Sequence, residues 1–113
     1  MTNLTLLRLT SRTIIPMHHI LYLESDWNYT VIHTMDNRKH TSGFTLKTLE
    51  KRIDNTSFLR INRGLLINRQ FISQVSGLQK EAFVLLQNGK VLPVSRRKYK
   101  VLKENMGRVC NMV

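Results

Sequence analysis

The feature that most restricts the fold of this 113-residue chain is the shortness of its apolar runs, each cut off by a polar or turn-forming break. Asn3 to Leu9, Thr13 to Ile15 ahead of Pro16, Ile20 to Leu23, Tyr29 to Met35 and Arg38 to Ser42 each suit one short strand. So do Phe58 to Ile61, Leu65 to Ile67, Phe71 to Val75, Phe83 to Gln87 and Lys90 to Val94. Asp36-Asn37 reads as a hairpin turn, and Asn88-Gly89 as a type I′ turn, which needs positive φ at both central residues. Ser25, Asp26, Trp27 and Asn28 form a polar break with bulky members. Helical spacing occurs in two places: Leu46, Leu49 and Ile53 behind a Thr45 cap, and Tyr99, Leu102, Met106 and Val109 behind Ser95. Many short strands with two brief helices predict a mainly β sandwich or barrel.

The second helix starts against the electrostatic rule. A helix N-terminus carries partial positive charge and unpaired N–H groups, so it favours acids. Here Ser95 is followed by Arg96, Arg97 and Lys98, then Tyr99 and Lys100. Cap, dipole, free amides and three cations together make an arrangement suited to an external phosphate. Charge elsewhere agrees. The formal net charge is +11, but residues 1–36 sum to −1, with Arg8 and Arg12 against three acids, and residues 37–113 to +12, with sixteen bases against four. Such a basic region suggests a polyanionic partner: nucleic acid first, an anionic membrane face or acidic protein otherwise.

One domain is expected across residues 1–113, with a core over about 5–106 and a tail over 107–113. Cys110 is the single cysteine, so no intrachain disulfide forms. No apolar stretch approaches the roughly 18 residues of a membrane span and no basic-then-apolar leader opens the sequence, so the chain reads as cytoplasmic with no membrane partner. Catalysis has little support. His18, His19, His33 and His40 lack metal-ligand spacing, and Glu24, Asp26 and Asp36 near His33 are explained by strand alternation and turn chemistry. No cofactor or metal site is expected.

In a β framework, loops carry function, and three stand out: Asp26 to Tyr29, Arg60 to Gly64, and Ser95 to Lys100. With their flanks they resemble the LytTR DNA-binding domain of bacterial response regulators and related transcription factors. The resemblance rests on ILYLES (20–25) before Asn28-Tyr29, FTLKTLE (44–50), FLRINRGLLIN (58–68) and NGKVLPVSRRKYKVL (88–102). It implies elongated, stacked β-sheets with two short helices, whose loops enter the major groove of double-stranded DNA. It also implies that Asn28, Tyr29, Asn62, Arg63 and Arg97 face bases, while Gly64, Arg96, Lys98 and Lys100 hold phosphates. Asn62 and Gly64 stand where the family more usually has His and Ser, leaving the Gly64 N–H as the donor at that position. Arginine suits base reading because its planar fork pairs with guanine O6 and N7. The resemblance further implies a transcriptional regulator, monomeric when free and loaded as two copies on paired repeats. A receiver domain or sensor-kinase pathway would lie outside these 113 residues.

Plainer readings stand beside these. Arg60 fits either an internal ion pair or a phosphate contact. Trp27 reads as a cap on a core edge. Arg38-Lys39-His40 reads as a solvated hairpin edge guarded against aggregation, and Lys47, Lys51 and Arg52 as a solvent-facing helix side. The rival function is a small β-barrel that binds RNA, with Trp27, Tyr29 and Tyr99 stacking on unpaired bases.

Overall fold

Within residues 6–53, 56–78 and 81–106, which the computed structural model describes, the short apolar runs become ten strands in three antiparallel sheets. β1 (Leu6–Arg8) and β2 (Ile14–Pro16) form a two-stranded ribbon. β3 (Ile20–Asp26), β4 (Tyr29–Thr34), β5 (Lys39–Ser42), β6 (Phe58–Asn62) and β7 (Leu65–Asn68) form the central sheet, in the order β5-β4-β3-β7-β6. β8 (Ile72–Leu78), β9 (Glu81–Leu86) and β10 (Val91–Pro93) form the third, in the order β10-β9-β8. Helix α1 (Leu46–Lys51) follows β5, and α2 (Arg96–Met106) follows β10. No helix among the described residues is long and apolar enough to cross a membrane.

The central sheet is buried on both faces. On one side Ile20, Leu23, Ile32, Phe58 and Leu66 pack against Leu7 and Ile15 of the ribbon and Leu46 and Leu49 of α1. On the other, Tyr22, Ile61, Leu65 and Ile67 pack against Val75, Val84 and Leu92 of the third sheet and Leu102 of α2. Burial on both faces explains why β3 and β7 read as continuous apolar runs and not as alternating ones. Buried hydroxyls and amides are satisfied within the frame: Thr30 Oγ1 donates to Phe44 O at 2.8 Å, Ser42 Oγ to Leu9 O at 2.6 Å, and Asn68 Nδ2 to Ile20 O at 3.0 Å. Thr45 caps α1 by accepting from Thr48 N at 3.2 Å. Such a cap contributes about 1 kcal/mol.

Several expectations need correction. The polar break at 25–28 is largely strand: β3 runs on through Ser25 and Asp26, and Asp26 pairs directly with Tyr29, which leaves a two-residue turn of Trp27 and Asn28. The Asn88-Gly89 turn is not type I′. Gly89 has φ of 91° but Asn88 is not on the positive side, and Leu86 N donates to Lys90 O at 2.9 Å, so the loop has three residues and needs one left-handed position. The Asp36-Asn37 hairpin repeats that geometry, with Asn37 at φ 64° and Thr34 N donating to Arg38 O at 3.0 Å. Pro16 closes β2 from inside, opposite Leu6, where a ribbon edge tolerates a missing N–H. β8 extends to Leu78, beyond the expected end at Val75. The expected start of the first strand at Asn3, the helical position Val109, the 107–113 tail and Cys110 lie outside the described residues.

Candidate nucleic-acid interface

Strand direction gathers the three singled-out loops at one end of the molecule. β3 ends and β4 begins at the Trp27-Asn28 turn, β6 ends and β7 begins at Arg63-Gly64, and β10 ends there as α2 starts. Hydrogen bonds fasten these segments edge to edge. Ser25 N donates to Gly64 O at 2.9 Å, joining the first turn to the second. Ser95 N donates to Ile61 O at 2.9 Å and Asn62 Nδ2 to Pro93 O at 2.8 Å, joining the second to the helix start.

The second turn is braced from beneath. A register shift between Arg60 and Asn62 inserts an extra residue into β6, the kind of bulge that re-aims side chains beside a site. Arg60 Nε donates to Asn62 O at 2.9 Å, its Nη2 donates to Arg63 O, and its Nη1 pairs with Glu50 of α1. Arg60 is therefore internal, the first of its two sequence readings. Asn62 is also largely consumed: besides its bond to Pro93, its Oδ1 accepts from Gly64 N at 2.7 Å. The Gly64 N–H expected to stand free for a phosphate thus already has a partner, because a short Asx-type turn folds the amide back onto its own loop.

What remains outward is cationic and aromatic. Arg63, Arg96, Arg97 and Lys100 are exposed and Lys98 is half-buried. Ser95 Oγ accepts from Lys98 N at 3.2 Å, the expected cap, while the amides of Arg96 and Arg97 sit in the first turn without a preceding helical carbonyl. No acid lies in that turn. Asn28 is exposed, Tyr29 is 55% exposed, and Trp27 is 92% exposed with φ of 59°. Trp27 as the cap of a core edge is therefore overturned: the two-residue turn projects it beyond the sheet, where there is no core to cover. No local pattern in the sequence announces this, because the Asp26-to-Tyr29 pairing that makes the turn so tight is set across the strands. Tyr99, by contrast, is half-buried against the core shared by α2 and the third sheet, so it offers no free face for stacking.

The other basic segments lie elsewhere. Lys47 and Lys51 are exposed on α1, and the Arg52 guanidinium lies 4.4 Å over the Phe44 ring. His33, on β4, stacks on Tyr22 at 4.2 Å and bonds Glu24 Oε1 through Nε2 at 3.0 Å. Burial lowers its pKa below the ordinary 6.5, with Glu24 opposing and the charges of Lys39 and Lys90 assisting.

A β scaffold that presents arginines and aromatics on three fastened segments is an architecture suited to a nucleic-acid-binding domain that reads through loops. Residues 11–107 match the model of the LytTr DNA-binding domain, and the chain belongs to that family. It is similar to the heme-containing CO-sensing transcriptional regulator RcoM 1 of Paraburkholderia xenovorans (29% identical over 98 residues, 85% of this chain and 36% of that protein). It is also similar to the transcriptional regulatory protein BtsR of Escherichia coli (30% over 95 residues, 83% and 38%) and the sensory transduction protein LytT of Bacillus subtilis (25% over 95 residues, 83% and 39%). The chain thus spans well under half the length of each of these relatives. A solved LytTr DNA-binding domain from Bacillus cereus shares the fold, with a TM-score of 0.74, 22% identity, and coverage of 91% of this chain and 95% of that one. The chain is thus a DNA-binding domain, and the RNA-binding β-barrel reading finds no support among these relatives.

Proposed function

We propose that this domain reads duplex DNA sequence through the β3–β4 turn, the β6–β7 turn and the first turn of α2, as the output module of a bacterial transcriptional regulator. The observation that carries the reading is the set of hydrogen bonds from Ser25, Asn62 and Ser95 that fastens the three loops side by side. Fastened loops lose little entropy on binding and hold their side chains in register with a groove. Arg63 and Arg97 reach base edges, with Asn28 and Tyr29 beside them, and Arg96, Lys98 and Lys100 hold phosphates. Asn62 and Gly64, assigned to bases and phosphate by family resemblance, act here mainly by shaping the loop that aims Arg63.

The regulator works in the cytoplasm, its signal arriving through a receiver or sensor-kinase pathway. One domain of this size covers a small DNA interface, so useful specificity comes from two copies on paired repeats, and the net charge of +11 keeps free copies apart. Recovery of bound duplexes from a random pool tests the whole reading. The expected result is one enriched motif occurring twice, spaced near one helical turn of about 10 base pairs. A pool without enrichment, or tighter binding to single-stranded RNA, would overturn it.

A further inference from the structure

The strands that end at the DNA-facing loops begin, at their other end, around a cleft with different chemistry. The β4–β5 turn and the β9–β10 turn meet there over the start of β3, enclosing a cavity of about 180 Å³. Its floor is the stacked pair of Tyr22 and His33, and its rim carries Asn37, Arg38, Lys39, Asn88 and Lys90. Tyr22 is four residues before Asp26, so the cleft lies about 13 Å along β3 from the nearest DNA-facing turn.

The rim holds three cations and no acid. Asp36 partly neutralises Arg38 from outside the cleft, at 3.5 Å from its Nε. Lys39, at the start of β5, and Lys90, in the β9–β10 turn, have no acidic partner within 4.0 Å among the described residues. Both ammonium charges are close enough to bear on the same imidazole, His33. Both lysines are exposed, so solvent screens their repulsion, and the Glu24 carboxylate beside the floor is taken up by His33 Nε2 at 3.0 Å; an anion with two or more charges in the cleft meets both ammonium groups at once. The side-chain amides of Asn37 and Asn88 line the cleft as well and add donors beside the cations.

We propose that this cleft is a second binding site, separate from the DNA-facing loops, for a compact anion carrying two or more phosphate or carboxylate groups. Lys39 and Lys90 hold its charge, Asn37 and Asn88 orient it, and the Tyr22–His33 pair forms the floor. The cavity is too small for a folded partner, and its distance from the loops leaves them free while it is filled.

The test is calorimetric titration of the full chain with inorganic pyrophosphate and, separately, with citrate at fixed ionic strength. It is repeated on Lys39→Ala/Lys90→Ala and on Lys47→Ala/Lys51→Ala, which removes two equally exposed lysines from α1. All four lysines are exposed, so thermal midpoints close to the parent's verify the fold. One-to-one binding is expected, weakened about tenfold or more in the first variant and within about twofold of the parent in the second. Tighter binding of pyrophosphate assigns phosphate chemistry to the site, and tighter binding of citrate assigns carboxylate chemistry. No saturation by concentrations on the order of 10 mM, unchanged binding in Lys39→Ala/Lys90→Ala, or equal losses in both variants would overturn the proposal.

Discussion

The ring of Tyr99 lies so close over the backbone of Gly77 that a β-carbon there would sit 2.4 Å from Cζ and 2.7 Å from Cε1. Gly77 is next to last in β8 and Tyr99 lies in the first turns of α2, so the missing side chain of one is the seat of the other. That seat sets the height of the helix whose first turn carries Arg96 and Arg97.

Gly77→Ala should therefore push the Tyr99 ring out and loosen α2. Overpacking of this kind costs about 1–3 kcal/mol, to be read by chemical denaturation, and DNA affinity should fall with it. Gly77→Ala/Tyr99→Leu, which clears the far end of the ring, should recover most of the loss. A Gly77→Ala protein as stable as the parent would show that the ring swings aside freely.

Arg60 leads to a prediction of a different kind, because it faces the loop and not the DNA. Its guanidinium holds two loop carbonyls and Glu50 at once, and hydrogen bonds to a charged group are worth about 1.5–3 kcal/mol. Arg60→Ala should lose stability in that range and weaken duplex binding. Arg60→Lys should rescue little, since one ammonium cannot span three acceptors in a plane. Full DNA affinity in Arg60→Lys, measured by fluorescence anisotropy, would remove the bracing role.

Much of the fold was legible in the sequence because strand and cap signals are local. The apolar runs, Thr45 and Ser95 fall where the strands and helix caps are. The misjudged features depend on what lies opposite. Asp26 looked like a break because its pairing with Tyr29 is a cross-strand fact, and Asn88-Gly89 suggested a two-residue turn because the register of β9 against β10 is set by packing. At the interface, the basic residues of 95–100 were conspicuous from the helix-dipole conflict alone. The internal role of Asn62 was not, and that of Arg60 stood only as one of two readings, since an amide or guanidinium reads the same in sequence whether its partner is a base, a phosphate or a neighbouring carbonyl. The Lys39 and Lys90 cleft joins residues 51 positions apart, and no sequence spacing announces it.

The outward residues should divide into readers and anchors. Arg63→Ala and Arg97→Ala should each cost about 1–3 kcal/mol at the selected site and flatten base preference there. Lys98→Ala and Lys100→Ala should weaken all duplexes alike, each reducing a log–log salt slope of roughly −4 to −6 by about 1. Competition between the selected duplex and a scrambled one across a salt series separates the two effects. Uniform loss in all four variants would erase the division.

Acid should destabilise the domain through His33. Its folded pKa is depressed, chiefly by burial, so the unfolded chain binds the proton more readily. The stability that His33 contributes is fully present above the unfolded value of about 6.5 and is lost as pH falls through the lower folded one. Denaturation midpoints measured from neutral pH down to about pH 5 should decline, and His33→Gln should flatten that decline. An unchanged slope in the variant would assign the acid sensitivity to other groups.

Trp27 should show stability and binding moving in opposite directions. A bulky residue at φ 59°, 92% exposed at the tip of a two-residue turn, contributes nothing visible to the core and strains its own backbone. The turn would prefer glycine at that position. Trp27→Gly should therefore raise stability by about 1 kcal/mol, an outcome uncommon for removal of a tryptophan. If the exposed indole packs against sugar or a thymine methyl beside the groove, the same substitution weakens DNA binding by about 1–2 kcal/mol. Trp27→Ala separates the two effects, because it removes the indole while keeping a β-carbon in the strained position: affinity should fall as in Trp27→Gly while stability gains little. Undiminished DNA affinity in both variants would leave the strain without a binding role, and a loss of stability in Trp27→Gly would show that the indole supports the fold after all.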